Sequence, residues 1–192
     1  MVNLFRRFIA STRGVAAIEI AVIAPVLMLL LLASFDAGNA IAIDMKVRSA
    51  DFTLASITNQ YTTGNNGIQS SDMAAITGST SAVLSPYSGA PVIVTISQIK
   101  QTSASNAIVS WSYSLNGTAY AQGSAWKTLP SQFTTTNSCN SYPCYLIFAE
   151  VSYTFTPMFG SFVTGPITLY DNLYATPRSS ICIQYLGVPS VC

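Results

Sequence analysis

The chain has 192 residues, 50% hydrophobic and only 8% charged, with eight Lys+Arg against seven Asp+Glu for a net charge of +1. A typical globular domain is about a quarter charged, so this balance points to a membrane-associated or secreted chain, one domain plus an anchor. It argues against nucleic-acid binding, which needs clustered Lys/Arg, and the complete lack of histidine removes the commonest general base and metal ligand together.

Residues 1–14, MVNLFRRFIASTRG, carry Arg6, Arg7 and Arg13 and no acid. Residues 15–33 then form an apolar run, VAAIEIAVIAPVLMLLLLA, interrupted only by Glu19 and Pro25. As a helix this run is about 28 Å long, close to the ~30 Å hydrocarbon core of a bilayer and longer than the apolar part of an ordinary signal peptide. It reads as a membrane span. The arginines before it place the N-terminus in the cytoplasm and the long C-terminal part outside. Glu19 does not fit a plain anchor, because an acid at mid-membrane costs about 2.5–3.5 kcal/mol. Either it lies near the cytoplasmic interface and snorkels, or it meets a cation. No basic residue lies within the span, but cleavage after Gly14 would make Val15 a new N-terminal ammonium and Glu19 the fifth residue.

A short basic leader ending in glycine, then an apolar helix with Glu at its fifth position, resembles the processing site of type IV prepilins. The closer resemblance is to the TadE-like pseudopilins of tight-adherence (Flp) pilus systems. It rests on Arg13-Gly14-Val15-Ala16-Ala17-Ile18-Glu19-Ile20, Pro25, the run Leu29-Leu30-Leu31-Leu32 and the following Phe35-Asp36-Ala37-Gly38. Ile20 stands where the family usually has Phe. A looser similarity covers Tyr153 to Pro157, Phe159, Ile167-Thr168-Leu169 and Pro177-Arg178 near the C-terminus. The resemblance implies cleavage between Gly14 and Val15 by a prepilin peptidase and an assembly role for Glu19. It also implies partners: an inner-membrane platform with its assembly ATPase, a major pilin or other pseudopilins, and the lipid itself. The implied setting is the bacterial inner membrane, single-pass, with adherence and biofilm formation as the outcome. No cofactor and no catalysis are implied.

Past the span the helical pattern continues. Phe35, Asn39, Ala42, Ile43, Val47, Ala50, Leu54 and Ile57 recur at spacings of three and four, predicting one apolar face, with Asp36, Asp44, Lys46, Arg48 and Asp51 off it. One helix is expected over about 15–60, with a span at 15–33 and an amphipathic extension at 34–60, kinked at Pro25. Residues 62–67, TTGNNG, break it. A short helix over 71–84 follows, interrupted at Gly78 and capped by Ser71. Residues 91–99, 107–113, 145–156, 167–175 and 180–185 alternate and are rich in β-branched and aromatic residues, so they read as strands, and Asn116-Gly117 reads as a tight turn. The expected class is α+β, pilin-like: a long transmembrane and amphipathic helix followed by an extracytoplasmic antiparallel β-sheet head over 61–192.

Cys139, Cys144, Cys182 and Cys192 all follow the span, and an even number outside the cytoplasm argues for two disulfides. Three pairings are possible. Cys139–Cys144 with Cys182–Cys192 is favoured, since each bond closes a local loop containing Pro143 or Pro189. A zinc site is disfavoured without histidine or C-x-x-C. The serines lack a histidine to activate them, and neither G-x-S-x-G nor a glycine-rich phosphate loop occurs. Glu150 alternates with apolar neighbours and reads as a solvated strand position. Trp111, Tyr113, Tyr120, Trp126, Tyr142, Tyr145, Tyr153 and Phe155 read mainly as core, or else as a sticky surface.

Three functions compete. The leading one is a minor pseudopilin, processed and then assembled into adhesive pili. The second is an anchored extracytoplasmic binding domain that keeps its leader and recognises a surface ligand through its aromatic head. The third is a secreted protein cut near Ala37. Their N-termini differ, so processing separates them.

Overall fold

The computed structural model describes residues 14–62, 67–87, 92–127, 129–134, 142–188 and 191–192. The leader up to Arg13, most of the 62–67 break and Cys139 therefore lie outside the described residues. Helix α1 (Val15–Thr58) is continuous through Pro25 and, at 44 residues, about 66 Å long. Its first half is the apolar run and none of it is buried. Its second half packs on a four-stranded sheet, so the fold is α+β: a long N-terminal apolar helix followed by an antiparallel sheet.

The strands are β1 (Val92–Gln101), β2 (Ala107–Leu115), β3 (Cys144–Phe155) and β4 (Ile167–Ala175), in the order β2-β1-β3-β4, every pair antiparallel. The β1–β2 hairpin turns through 102–106, while the β2–β3 connection crosses β1 and covers the outer sheet face. There Tyr120, Trp126, Leu129 and Phe133 pack on Ile99, Leu146, Phe148 and Tyr174 as a second, smaller core. The larger core lies on the inner face, between Ile43, Val47 and Leu54 of α1 and Val94, Ile96, Ile147, Ala149, Val151 and Tyr153 of the sheet. Helix α2 (Ser70–Leu84) packs beside α1 and adds Met73, Ile76 and Leu84 to this core. Two single turns, α3 (Ser131–Thr134) and α4 (Ser161–Thr164), punctuate the connections.

The structure corrects several local readings. Helix α2 begins one residue earlier and is capped by Gln69, not Ser71: the Asp72 carboxylate accepts the Gln69 N–H at 3.0 Å, in a reciprocal capping box. Gly78 does not interrupt it. At Asn116-Gly117 the chain does turn, with Asn116 left-handed at φ 59°, but in place of a full strand only residues 123–126 return along β2, through one antiparallel bridge from Ala125 to Ile108. A Cβ at position 117 would stand 2.7 Å from Ile93 Cγ2 and from Ser114 Oγ, so only glycine fits there.

Residues 180–185 are not a fifth strand. They lie across the inner face rather than along an edge, held by side chains. The Gln98 amide oxygen accepts the Ile183 N–H at 2.7 Å, and Trp111 Nε1 donates to the Ile183 carbonyl at 2.9 Å. A register shift at Gln98/Ile99 accompanies Ser110, whose hydroxyl donates to the Val191 carbonyl at 2.7 Å. One parallel bridge, Ile68 to Tyr185, ties this tail to the start of α2. Cys182 and Cys192 are bonded to each other, closing the tail on itself. Replacing both by serine is expected to lower stability by about 2–3 kcal/mol, the chain-entropy value for so short a loop. Denaturant unfolding with limited proteolysis checks this; an unchanged midpoint with an intact tail would count against it.

Candidate processing and assembly site

Gly14 precedes α1 as its N-cap residue, exposed and with open space where a Cβ would stand. Val15 opens the helix, 55% exposed. Glu19 follows one turn later, exposed, with no hydrogen bond or ion pair among the described residues. Every large apolar side chain from Val15 to Leu31 shows half or more of its surface. So the first half of α1 projects from the head as a bare apolar rod carrying one carboxylate.

The rod's outer surface continues along the head. Ile41, Met45 and Phe52 are each about 60% exposed, at 62%, 60% and 62%. At 100° per residue these three fall within about 40° of one another, and Glu19 lies about 40° from Ile41 on the same side. The buried residues Ile43, Val47, Ala50 and Leu54 occupy the opposite side, against the sheet. The helix therefore has two apolar faces, of which the head covers one.

Two aspartates that the spacing placed off the apolar face are buried in it. Asp36 keeps only 7% of its surface, and its carboxylate accepts three consecutive backbone N–H groups from the β3–β4 connection. These are Met158 at 3.1 Å, Phe159 at 2.9 Å and Gly160 at 2.7 Å. Phe35, predicted to face the core, is instead 53% exposed and meets Phe159 edge-on, ring centroids 5.9 Å apart. Asp51 is fully buried, and neither carboxylate oxygen has a hydrogen-bond partner among the described residues. Burial first, then the charges of Asp171 on β4 and Glu150 on β3, push it up to about 8. The nearest cations on α1 are engaged elsewhere: Lys46 with the carbonyls of Val83 and Ser85, Arg48 with Asp44 at 3.0 Å.

Glu150 is not merely a solvated strand residue. On the outer face it accepts the hydroxyls of Tyr120 at 3.0 Å and Tyr170 at 2.9 Å. Burial, then Glu150's charge and hydrogen bond, push Tyr120 up to about 12, and Tyr170 is raised as well, so both remain donors. Of the aromatic residues, Trp111, Tyr145, Tyr153 and Phe155 are core, Tyr113, Tyr120 and Trp126 are half-buried, and Tyr142 is exposed. Cys144 opens β3 and is disulfide-bonded; Cys139 lies outside the described residues. No group of three or more potential metal ligands occurs among the described residues.

Sequence reasoning missed Asp36 and Asp51, although a signal was present: 43, 47, 50 and 54 carry the buried face, and 36, seven before 43, and 51, four after 47, fall on it. No curated protein and no solved structure matches the chain. Residues 14–50, which run from the glycine before the helix through Glu19, the bare rod and Asp36, match the model of the TadE-like protein family, the family that the leader and the span resemble.

Proposed function

We propose that the chain is a minor pseudopilin of a tight-adherence pilus system, cut between Gly14 and Val15 and assembled through its N-terminal helix. The match over residues 14–50 points toward the Tad pilus system, and the TadE-like family is a structural, non-enzymatic kind of protein. The observation that carries the finer reading is where the match begins: at Gly14, with Glu19 five residues into a helix that the head leaves bare. Such a rod needs partners, either lipid or other helices. Once the leader is removed, the Val15 ammonium and the Glu19 carboxylate of adjacent helices neutralise each other in a low-dielectric bundle, where each alone would be strongly unfavourable. Only one axial stagger brings them together, so the pair sets register. The stripe Ile41, Met45 and Phe52, on the same side as Glu19, extends that packing surface beyond the membrane.

The first test is the N-terminus of the protein in isolated membranes, by intact mass and peptide sequencing, with and without the prepilin peptidase. A peptidase-dependent start at Val15 is expected. An intact Met1 would favour the anchored binding domain, and a start near Gly38 would mean simple secretion. In the same cells Glu19→Gln is expected to leave cleavage intact while pilus assembly falls severalfold; normal piliation would remove the role given to Glu19.

A further inference from the structure

The connection between β3 and β4, residues 156–166, is TPMFGSFVTGP and contains no charged residue. Met158 is 74% exposed, Val163 73% and Phe159 40%, so the segment shows large apolar side chains to its surroundings. Its position is set by Asp36, which binds the N–H groups of Met158, Phe159 and Gly160. A 30 Å hydrocarbon core takes about 20 residues of helix from Val15, so Asp36 stands about one half-turn past the exit of the span. The apolar surface runs on there: Leu31, Leu32, Phe35 and Phe159, with Ser34 the one polar side chain among them, line one shallow groove.

The backbone of this connection is also prepared for a water-poor setting. Besides the three N–H groups on Asp36, those of Val163 and Thr164 donate to the Gly160 carbonyl and that of Gly165 to the Ser161 carbonyl. Pro157 and Pro166 have no N–H. The N–H groups of residues 158–160 and 163–165 are thus held within the chain, which suits a bilayer boundary, where an unpaired N–H is costly.

We propose that residues 157–165 form a second membrane contact, seated in the interfacial layer of the outer leaflet beside the exit of α1. Met158, Phe159 and Val163 enter the boundary between headgroups and acyl chains, as the apolar face of an interfacial helix does. With the span as one attachment and this loop as another, the head is held at a fixed tilt and azimuth on the bilayer. That fixes which way the stripe of Ile41, Met45 and Phe52 faces. The inference rests on reading residues 15–33 as a span.

The test is photocrosslinking of the full chain reconstituted in phosphatidylethanolamine/phosphatidylglycerol vesicles. A diazirine amino acid of leucine size is placed singly at Met158, Val163, Leu30 or Ile181. Leu30 reports the span; Ile181 is 78% exposed but near the far end of the sheet, roughly 25 Å away by strand rise. Lipid adducts at Met158, Val163 and Leu30 but not Ile181 are expected. Adducts at Leu30 alone would overturn the loop contact and leave the span standing. Crosslinked dimers through Met158 or Val163, without lipid adducts, would overturn it in favour of a second copy of the chain. Absence of lipid adducts at all positions, Leu30 included, would overturn both the loop contact and the span.

Discussion

Between pH 8 and pH 5 the protein is expected to become more stable, by up to about 1.4 kcal/mol per pH unit, and Asp51→Asn is expected to abolish that slope. Asp51 titrates near 8 in the folded chain, against roughly 3.9 when unfolded. Across that window the native chain holds one more proton than the unfolded chain, so stability falls as pH rises. The contribution is fully present below about pH 4 and lost as pH passes through 8. The physical origin is a buried carboxyl with no hydrogen-bond partner for either oxygen among the described residues, under the negative charges of Asp171 and, through the sheet, Glu150. Asparagine at this position removes the ionisation at nearly equal volume. The variant should therefore exceed the natural protein by about 3–5 kcal/mol at pH 8 and come within about 1 kcal/mol of it near pH 4. The background between pH 5 and 8 is quiet, because there is no histidine in the chain and no described cysteine is free. Denaturant titrations of the full chain in detergent at several pH values give the slope directly. A flat profile for the natural protein, or an unchanged slope in Asp51→Asn, would refute the assignment.

The architecture was legible because each element carries a period that survives without tertiary context. The strands at 92–101, 107–115, 144–155 and 167–175 are β-branched and aromatic runs, found within a few residues of where the alternation places them. Helix α1 was visible through an apolar run that leads into a three-four spacing. What failed depends on partners remote in sequence. Residues 180–185 alternate like a strand, yet their backbone is taken by Gln98 and Trp111 side chains more than 70 residues away. The apolar face of α1 was anchored on Phe35, so Asp36 fell outside it. An acid in register with Ile43 and Val47 looks like an error until a loop 122 residues downstream supplies the N–H groups it accepts. Asp51 has the same register and no such compensation, and no local signal tells the two apart. Glu19 is the reverse case: the motif proposes a role for it, while a single chain shows it only as an exposed acid on a bare helix.

Asp36→Ala is expected to detach the β3–β4 connection from α1 and to cost about 3–5 kcal/mol, with the sheet otherwise intact. The carboxylate accepts three N–H groups from consecutive residues, and hydrogen bonds to a charged acceptor each contribute about 1.5–3 kcal/mol, less than additively when shared. Alanine leaves these donors stranded beside an apolar helix. Asp36→Asn should be milder, because one oxygen remains to accept from Phe159 and Gly160 while its amide opposes Met158. Gly160 belongs to the same arrangement: a Cβ there would lie 3.4 Å from Asp36 Oδ2, at the near edge of ordinary contact. Hydrogen exchange of the full chain in detergent separates this local event from general destabilisation. The N–H groups of residues 158–160 should exchange much faster in Asp36→Ala, while those of β1 and β3, paired along ten residues, stay protected. Protection unchanged at 158–160 would show that Asp36 does not hold the loop. Since this contact is the junction between rod and head, its loss should loosen the head on its stalk before it unfolds the head.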